Sequence, residues 1–198
     1  MNPYQPVLDF EREIADYCGS PFAAVVNSCT NALLLSCCYL QVREVTIPKH
    51  TYIGVPMSIV HAGGTVKFED LDWQHTGQYE LKPYPIIDSA RLCTSDMYKP
   101  RTFTCLSLHW GKTFNLGYGG VILHDDPDAQ EFFERARADG RKPGVAPKDD
   151  NPILGWHCPM SPRDAADALV RLYFLPKYNH PLPPEPDYPD LSQQSPWK

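Results

Sequence analysis

Through its first half the chain alternates short apolar runs with stretches whose apolar residues recur every three or four positions, and this alternation limits the fold more than any other feature. Residues 7–18 put Val7, Phe10, Ile14 and Tyr17 on one helical face, and Gly19 follows as a natural stop. Residues 22–26 read as a short strand, 32–40 as a helix, 45–48 as a strand ending at proline, 53–62 as a helix and 66–69 as a strand. Further on, 85–88, 103–108 and 120–124 read as strands, 128–139 as a charged amphipathic helix and 162–175 as a last helix opened by Pro162. Repeated strand–helix units predict an α/β domain over residues 1–175, with a mostly parallel sheet flanked by helices. In such a domain ligands gather at the carboxyl ends of strands, so function is to be sought in the turns that follow them.

The remaining stretches carry other signals. Residues 70–83 have turn chemistry and no sustained period, which predicts a loop. Residues 140–152 combine glycine, proline and charge and predict a mobile connection. Seven of the 21 prolines lie from Pro176 onward among few aliphatics, so residues 176–198 are expected to be an extended or disordered tail.

Composition narrows the function classes. At 198 residues with 42% hydrophobic content, the chain has room for one ordinary domain with a real core. A formal charge of -6 leaves no broad electropositive surface for nucleic acid. No apolar run approaches the roughly 20 residues that span a bilayer, and the start lacks a basic segment followed by an apolar one. The expectation is a soluble, cytoplasmic protein. The seven cysteines are an odd count without a CxxC, and the seven histidines are scattered, so neither a disulfide framework nor a metal site is expected.

Four turns after strands hold unusual chemistry. In NSCTN (residues 27–31) the hydroxyls of Ser28 and Thr30 and the first amides of a helix, around Cys29 and Asn31, can cradle an anion. Tyr52 follows a strand and a proline, where a ring can cover a flat ligand. Asp88 ends an apolar strand, where a carboxylate needs a cation or donor. Lys112 stands on a glycine-flanked turn five residues after Ser107. Each has an ordinary explanation when taken alone: a capped helix, a core tyrosine, a paired acid and a solvated lysine.

Taken in order, they resemble the DegT-type sugar aminotransferase family of fold-type I pyridoxal-phosphate (PLP) enzymes. Seven short stretches carry the resemblance: Phe10-Glu11, the SCTNAL turn at 28–33, residues 48–52, residues 63–72, residues 87–90, residues 107–112 and residues 117–120. Together they span about residues 7–175. The resemblance implies PLP as cofactor, with Lys112 as its Schiff-base lysine and as the base at the substrate α-carbon. It makes Asp88 the partner of the pyridine nitrogen and Tyr52 the ring cover, while Ser28, Cys29, Thr30, Asn31 and Ser107 hold the phosphate. It also implies a homodimer with shared active sites, in which His157, in the GWHCPMS turn at 155–161, reaches the partner's phosphate site.

Departures from the family pattern are as informative. Residues 72–85 are too short for the helix, strand and helix of the family, and the small C-terminal domain is replaced by the proline-rich tail. Arg91 stands where the family has glutamine or histidine, so a substrate-binding role is expected for it, with Arg101 or Arg141 as the alternative for an anion contact. Without the small domain an open site is expected, suited to a nucleotide sugar or another nucleotide-linked substrate. The expected activity is amino-group transfer to a sugar or nucleotide-linked small molecule. The alternatives are a PLP decarboxylase or lyase acting on an amino-acid group of a larger molecule, and a non-catalytic PLP-fold binding module.

Overall fold

A computed structural model describes residues 2–185 and 188–197. Among the described residues five α-helices are formed: α1 (Gln5–Cys18), α2 (Cys29–Tyr39), α3 (Gly54–His61), α4 (Pro127–Ala136) and α5 (Pro162–Phe174). Seven strands accompany them: β1 (Phe22–Val26), β2 (Glu44–Pro48), β3 (Thr65–Glu69), β4 (Tyr79–Glu80), β5 (Ile86–Ser89), β6 (Phe103–Ser107) and β7 (Gly120–His124). Each predicted helix and strand is present within a few residues of its expected bounds. The predicted loop at 70–83 also holds the two-residue β4.

Five strands form one sheet in the order β1-β7-β6-β5-β4, and β2 pairs with β3 in a second. The sheet is mixed and not mostly parallel, because only β5–β6 runs parallel within the five-stranded sheet and β7 pairs antiparallel with both β1 and β6. The cause lies in the connections: no helix long enough for a parallel crossover separates β6 from β7, and β4 reaches β5 through a tight turn. Helices cover both faces, so the α/β class stands.

Period-two alternation builds the two faces. Ala24 and Val26 of β1, Cys105 of β6 and Ile122 of β7 point into a core with α2, α3 and α4. Ala23 and Val25, Leu106, Val121 and Leu123 point to the other face, against Phe10 and Ile14 of α1 and Ala165 and Ala168 of α5. Helix α2 is apolar all round, with Ala32, Leu33, Leu34 and Leu35 all buried, which suits a helix enclosed on every side. A buried ion pair joins the layers: Glu11 of α1 accepts from Arg137 and from the Val25 amide (2.9 Å), while Arg137 also donates to the Val25 carbonyl at 2.7 Å. The second sheet is tied to the first by reciprocal Thr46–Lys82 backbone bonds.

The described residues of the tail are held against the domain at several points, and Leu191–Gln193 and Ser195–Trp197 form short 3-10 helices. Asn179 donates to the Cys93 carbonyl (3.0 Å) and the Leu182 amide to the Arg91 carbonyl (2.9 Å). Beyond the cleft the Leu191 amide donates to the Lys49 carbonyl at 3.0 Å, and the Leu191 side chain is buried.

Candidate active site

A cleft of about 750 Å³ opens where β5 and β6 end and α2 begins. It brings together Ser28, Cys29 and Thr30 from the turn after β1, Tyr52 from the turn between β2 and α3, Asp88 and Arg91 at the end of β5, and Ser107 and Lys112 at and after the end of β6. Of the expected site residues, Asn31 and His157 do not line it. Asn31 turns its side chain to Asn27 (2.7 Å) and contributes only its amide, which donates to Ser28 Oγ at 3.2 Å as the α2 cap. His157 is exposed outside the cleft, with Nδ1 2.9 Å from Asp139 Oδ2.

Close backbone approach shapes the anion end. β1 and β7 pair as far as Val26 and Gly120, and the Ser28 turn rests directly on Gly120. A Cβ on Gly120 would stand 2.4 Å from the Ser28 carbonyl, so only glycine lets this turn take its place. Ser28 Oγ accepts the Asn31 amide, and its own proton stays available to a ligand.

Asp88 is 3% exposed. Its Oδ2 accepts from Tyr79 Oη at 2.8 Å and its Oδ1 from the Ala90 amide at 3.0 Å. Tyr79 Oη also lies 2.7 Å from Thr51 Oγ1, and since the phenol donates to Asp88, Thr51 donates to the phenol. Burial raises the Asp88 pKa above the usual carboxylate range; the bonds from Tyr79 and Ala90 and the charge of Lys112 oppose that rise. A buried carboxylate held this way is matched to a cation.

Lys112 faces it from the turn after β6. Burial first, then the charge of Arg91, lowers the Lys112 pKa, and the carboxylates of Asp88 and Glu185 pull it back up. Its ammonium is in no ion pair among the described residues. A partly desolvated, unpaired lysine is primed as a nucleophile and base. The Cys29 thiol beside it is held protonated, its pKa raised by burial.

The mouth is less open than expected. Trp73 stands at the wall with its ring 4.6 Å from that of Tyr79 and stacked on Tyr188 of the tail at 6.4 Å. Glu185, also of the tail, forms an ion pair with Arg91 at 3.0 Å. Arg91 is thus held by the chain's own carboxylate, and Arg101 and Arg141 do not line the cleft. Sequence reasoning missed Tyr79, Thr51, Trp73, Glu185 and Tyr188. A two-residue strand leaves no periodic signal for Tyr79, and nothing local marks Glu185 among prolines.

The fold and site together define an α/β protein with a lysine and a buried aspartate lining one cleft at the strand ends. Residues 1–82 match the model of the DegT/DnrJ/EryC1/StrS aminotransferase family, which bears out the resemblance read from the motifs. GDP-perosamine synthase of Caulobacter vibrioides is 35% identical over 106 residues, covering 52% of this chain and 26% of that protein. The spore coat polysaccharide biosynthesis protein SpsC of Bacillus subtilis is 31% identical over 111 residues, covering 53% of this chain and 25% of that protein. Among solved structures, S. venezuelae DesV superposes with a TM-score of 0.71 at 20% identity, covering 86% of this chain and 57% of that one. The sugar aminotransferase CalS13 from Micromonospora echinospora superposes with a TM-score of 0.70 at 16% identity. The chain spans about a quarter of the length of the curated relatives it matches. No helix among the described residues is long and apolar enough to cross a membrane.

Proposed function

We propose that this chain is a PLP-dependent aminotransferase acting on a sugar or nucleotide-linked carbonyl. The observation that carries the reading is the placement of an unpaired, low-pKa Lys112 and a buried, donor-braced Asp88 on the same cleft, 24 residues apart in sequence and brought together by β5 and β6. The residues fit PLP. Asp88 needs a cation, the turn on Gly120 leaves the Ser28 hydroxyl and the α2 amides for a phosphate, and Tyr52, Trp73 and Tyr188 supply aromatic walls. When bound, PLP supplies the electron sink that stabilises negative charge at the substrate α-carbon.

The chain's own groups do the rest. Lys112 Nζ would hold the cofactor and would serve as the base that takes or returns the α-proton. Asp88, held rigid by Tyr79 and Ala90, keeps the ring nitrogen protonated, and Thr51 fixes the Tyr79 proton so that it points at Asp88. Ser28, Thr30 and Ser107 orient the phosphate end.

Two copies are proposed to share their sites. Trp110 and Tyr118, both largely exposed beside the cleft, support a covering partner, and His157 stands on the surface where it can reach another copy. All seven cysteines are free, which supports a reducing cytoplasmic location. Borohydride reduction of PLP-saturated protein, followed by peptide mass spectrometry, is expected to place the cofactor on Lys112. Labelling of another lysine, or of none, refutes the site. Glutamate alone should then convert the bound cofactor to its amine form; no conversion with any common amino donor refutes transamination.

A further inference from the structure

Helix α5 buries one side and leaves the other in water. Ala165, Ala168 and Leu172 pack into the core shared with α1 and the sheet. At 3.6 residues per turn the exposed half divides lengthwise into two flanks. One is charged: Arg171 pairs with Asp167 at 3.0 Å and donates to the Asn115 carbonyl at 2.6 Å, which ties that flank to the turn after Lys112. The other carries Ala166, Val170, Tyr173 and Phe174, all exposed, with Tyr173 at 84% and Phe174 at 75%. Tyr178, just beyond the helix, is 85% exposed. A surface helix ordinarily turns its apolar residues inward, and an apolar stripe of this size in water marks a contact surface.

The stripe complements its own copy. Ala166, Val170 and Phe174 stand at i, i+4 and i+8, the ridge that interdigitates when two helices cross at about −50°, the commonest class of helix packing. About a two-fold axis through Val170, each Phe174 lies over the partner's Ala166, so a large ring meets a small side chain on both sides of the axis. The crossing angle carries the helix ends apart, which separates Arg163 from Lys177 where a straight antiparallel pairing would oppose them. Tyr173 and Phe174 hold each other edge to face, with ring centroids 5.1 Å apart at 89°, so the surface is ordered before it associates. The three aromatic side chains leave on the order of 400–600 Å² in water on one copy. Two copies bury about twice that, and with Val170 and Ala166 added the contact clears the roughly 1,000 Å² of a specific interface, at the weak end of that class.

We propose that the face of α5 formed by Ala166, Val170 and Phe174 is a self-association surface that takes a second copy of this chain through a two-fold axis at Val170. It is separate from the sharing of cofactor sites proposed above and does not depend on the aminotransferase reading. None of its residues lines the cleft, and α5 packs on the sheet face opposite α2, α3 and α4. The contact is isologous, so each of its residues is used twice and a single substitution acts on both sides of the axis. A chain that uses both surfaces assembles beyond a dimer, whereas one that uses α5 alone forms a dimer whose clefts stay apart.

The test uses the full chain and sedimentation velocity across about 1 to 200 μM, since an interface at the small end of its class need be no tighter than micromolar. Val170→Arg sets like charges on the axis. It is expected to raise the dissociation constant of this contact by about tenfold or more and to halve the mass of the largest particle, with Tm unchanged because Val170 is exposed. Ala166→Phe should do the same by setting ring against ring. Combining Ala166→Phe with Phe174→Ala exchanges large and small across the axis and should restore association to within about threefold of wild type, a rescue that requires the two positions to face each other from two copies of one chain. The proposal is overturned if the wild-type chain shows no association up to the top of the range, if Val170→Arg changes the dissociation constant by less than about twofold, or if the exchanged pair stays as weak as Ala166→Phe. The last result assigns the stripe to a partner other than this chain. Borohydride labelling of Lys112 is scored on the same samples. Its loss with association intact refutes only the cofactor reading, and loss of the Val170→Arg effect with labelling intact refutes only the α5 surface.

Discussion

Replacing Asp88 by asparagine should stabilise the cofactor-free chain at neutral pH while weakening its hold on a cationic ring. The substitution conserves volume. Asparagine Oδ1 can still accept the Ala90 amide, and its amide can donate to Tyr79 if the phenol turns its proton to Thr51. The network then loses a charge and no hydrogen bond. Burial holds the folded pKa of Asp88 above its ordinary value of 3.8, so between the two values the folded chain binds more protons than the unfolded one. Wild-type stability therefore falls as pH rises through that window. An imperfectly compensated buried charge costs on the order of 1–3 kcal/mol, and Lys112 offsets part of it, which leaves a gain of about 1–2 kcal/mol for the variant at pH 8. In a chain of this size each kcal/mol moves Tm by about 2–4 °C, so scanning calorimetry should show a rise of about 2–8 °C at pH 8 that shrinks toward pH 4. PLP titration should run the opposite way, with affinity lower by about tenfold or more, equivalent to about 1.4 kcal/mol. A Tm difference independent of pH, or a drop at pH 8, refutes the assignment of Asp88 as a carboxylate waiting for a cation.

Other expectations follow from the same geometry. Glu11→Ala leaves Arg137 buried without its partner and should cost about 3–5 kcal/mol by urea denaturation, whereas pairing it with Arg137→Met should recover much of the loss; additive losses would refute the strut. Tyr79→Phe removes the donor to Asp88 and should cost about 1–3 kcal/mol in stability while raising the pH at which PLP binding is lost on acidification, since Asp88 then protonates more readily. Because burial and Arg91 lower the Lys112 pKa, acetic anhydride at limiting dose near pH 8 should acylate Lys112 ahead of exposed lysines such as Lys67, read by peptide mass spectrometry; equal labelling contradicts the shift. His157→Ala should reduce cofactor retention without changing the Tm of the cofactor-free chain, and unchanged retention refutes the shared site.

The elements with strong local signals were legible in the sequence. The stripe of Val7, Phe10 and Ile14, the Ser28 cap and the apolar runs at 22–26 and 120–124 decide their own structures through periodicity and capping. Sheet direction was not legible, because whether β7 runs against β6 depends on how the chain turns between them, and residues 108–119 have no period. Asp88 and Lys112 are singled out in the sequence by the order of motifs they stand in, since an acid at the end of an apolar strand and a lysine on a glycine-flanked turn each have an ordinary explanation alone; the structure places both on one cleft. Tyr79 could not be singled out. It meets Asp88 only through a two-residue antiparallel register, which local propensity does not specify. The tail shows the same limit from the other side: proline content marks a segment without a sustained period but not the partners that dock it, among them Cys93, Arg91, Trp73 and Lys49, all distant in sequence.

The charges lining the cleft decide what must hold an anionic cofactor there. Lys112 and Arg91 are balanced by Asp88 and Glu185, so the cleft has no net positive charge to offer, and Arg91 is already engaged at the tail side. The anion end at α2 has only hydroxyls, backbone amides and the helix terminus, and a helix terminus contributes about 0.3–1 kcal/mol, up to about 2 where partly buried. That is too little for tight retention of a phosphate by one copy of the chain. Two further contributions fit the surface that is present: a covalent bond at Lys112, and a donor from a second copy such as His157. The two are linked, since a monomer that retained PLP tightly after Lys112→Ala would need a positive charge that the cleft does not have. Such a result would overturn the shared site and the assignment of the anion end together.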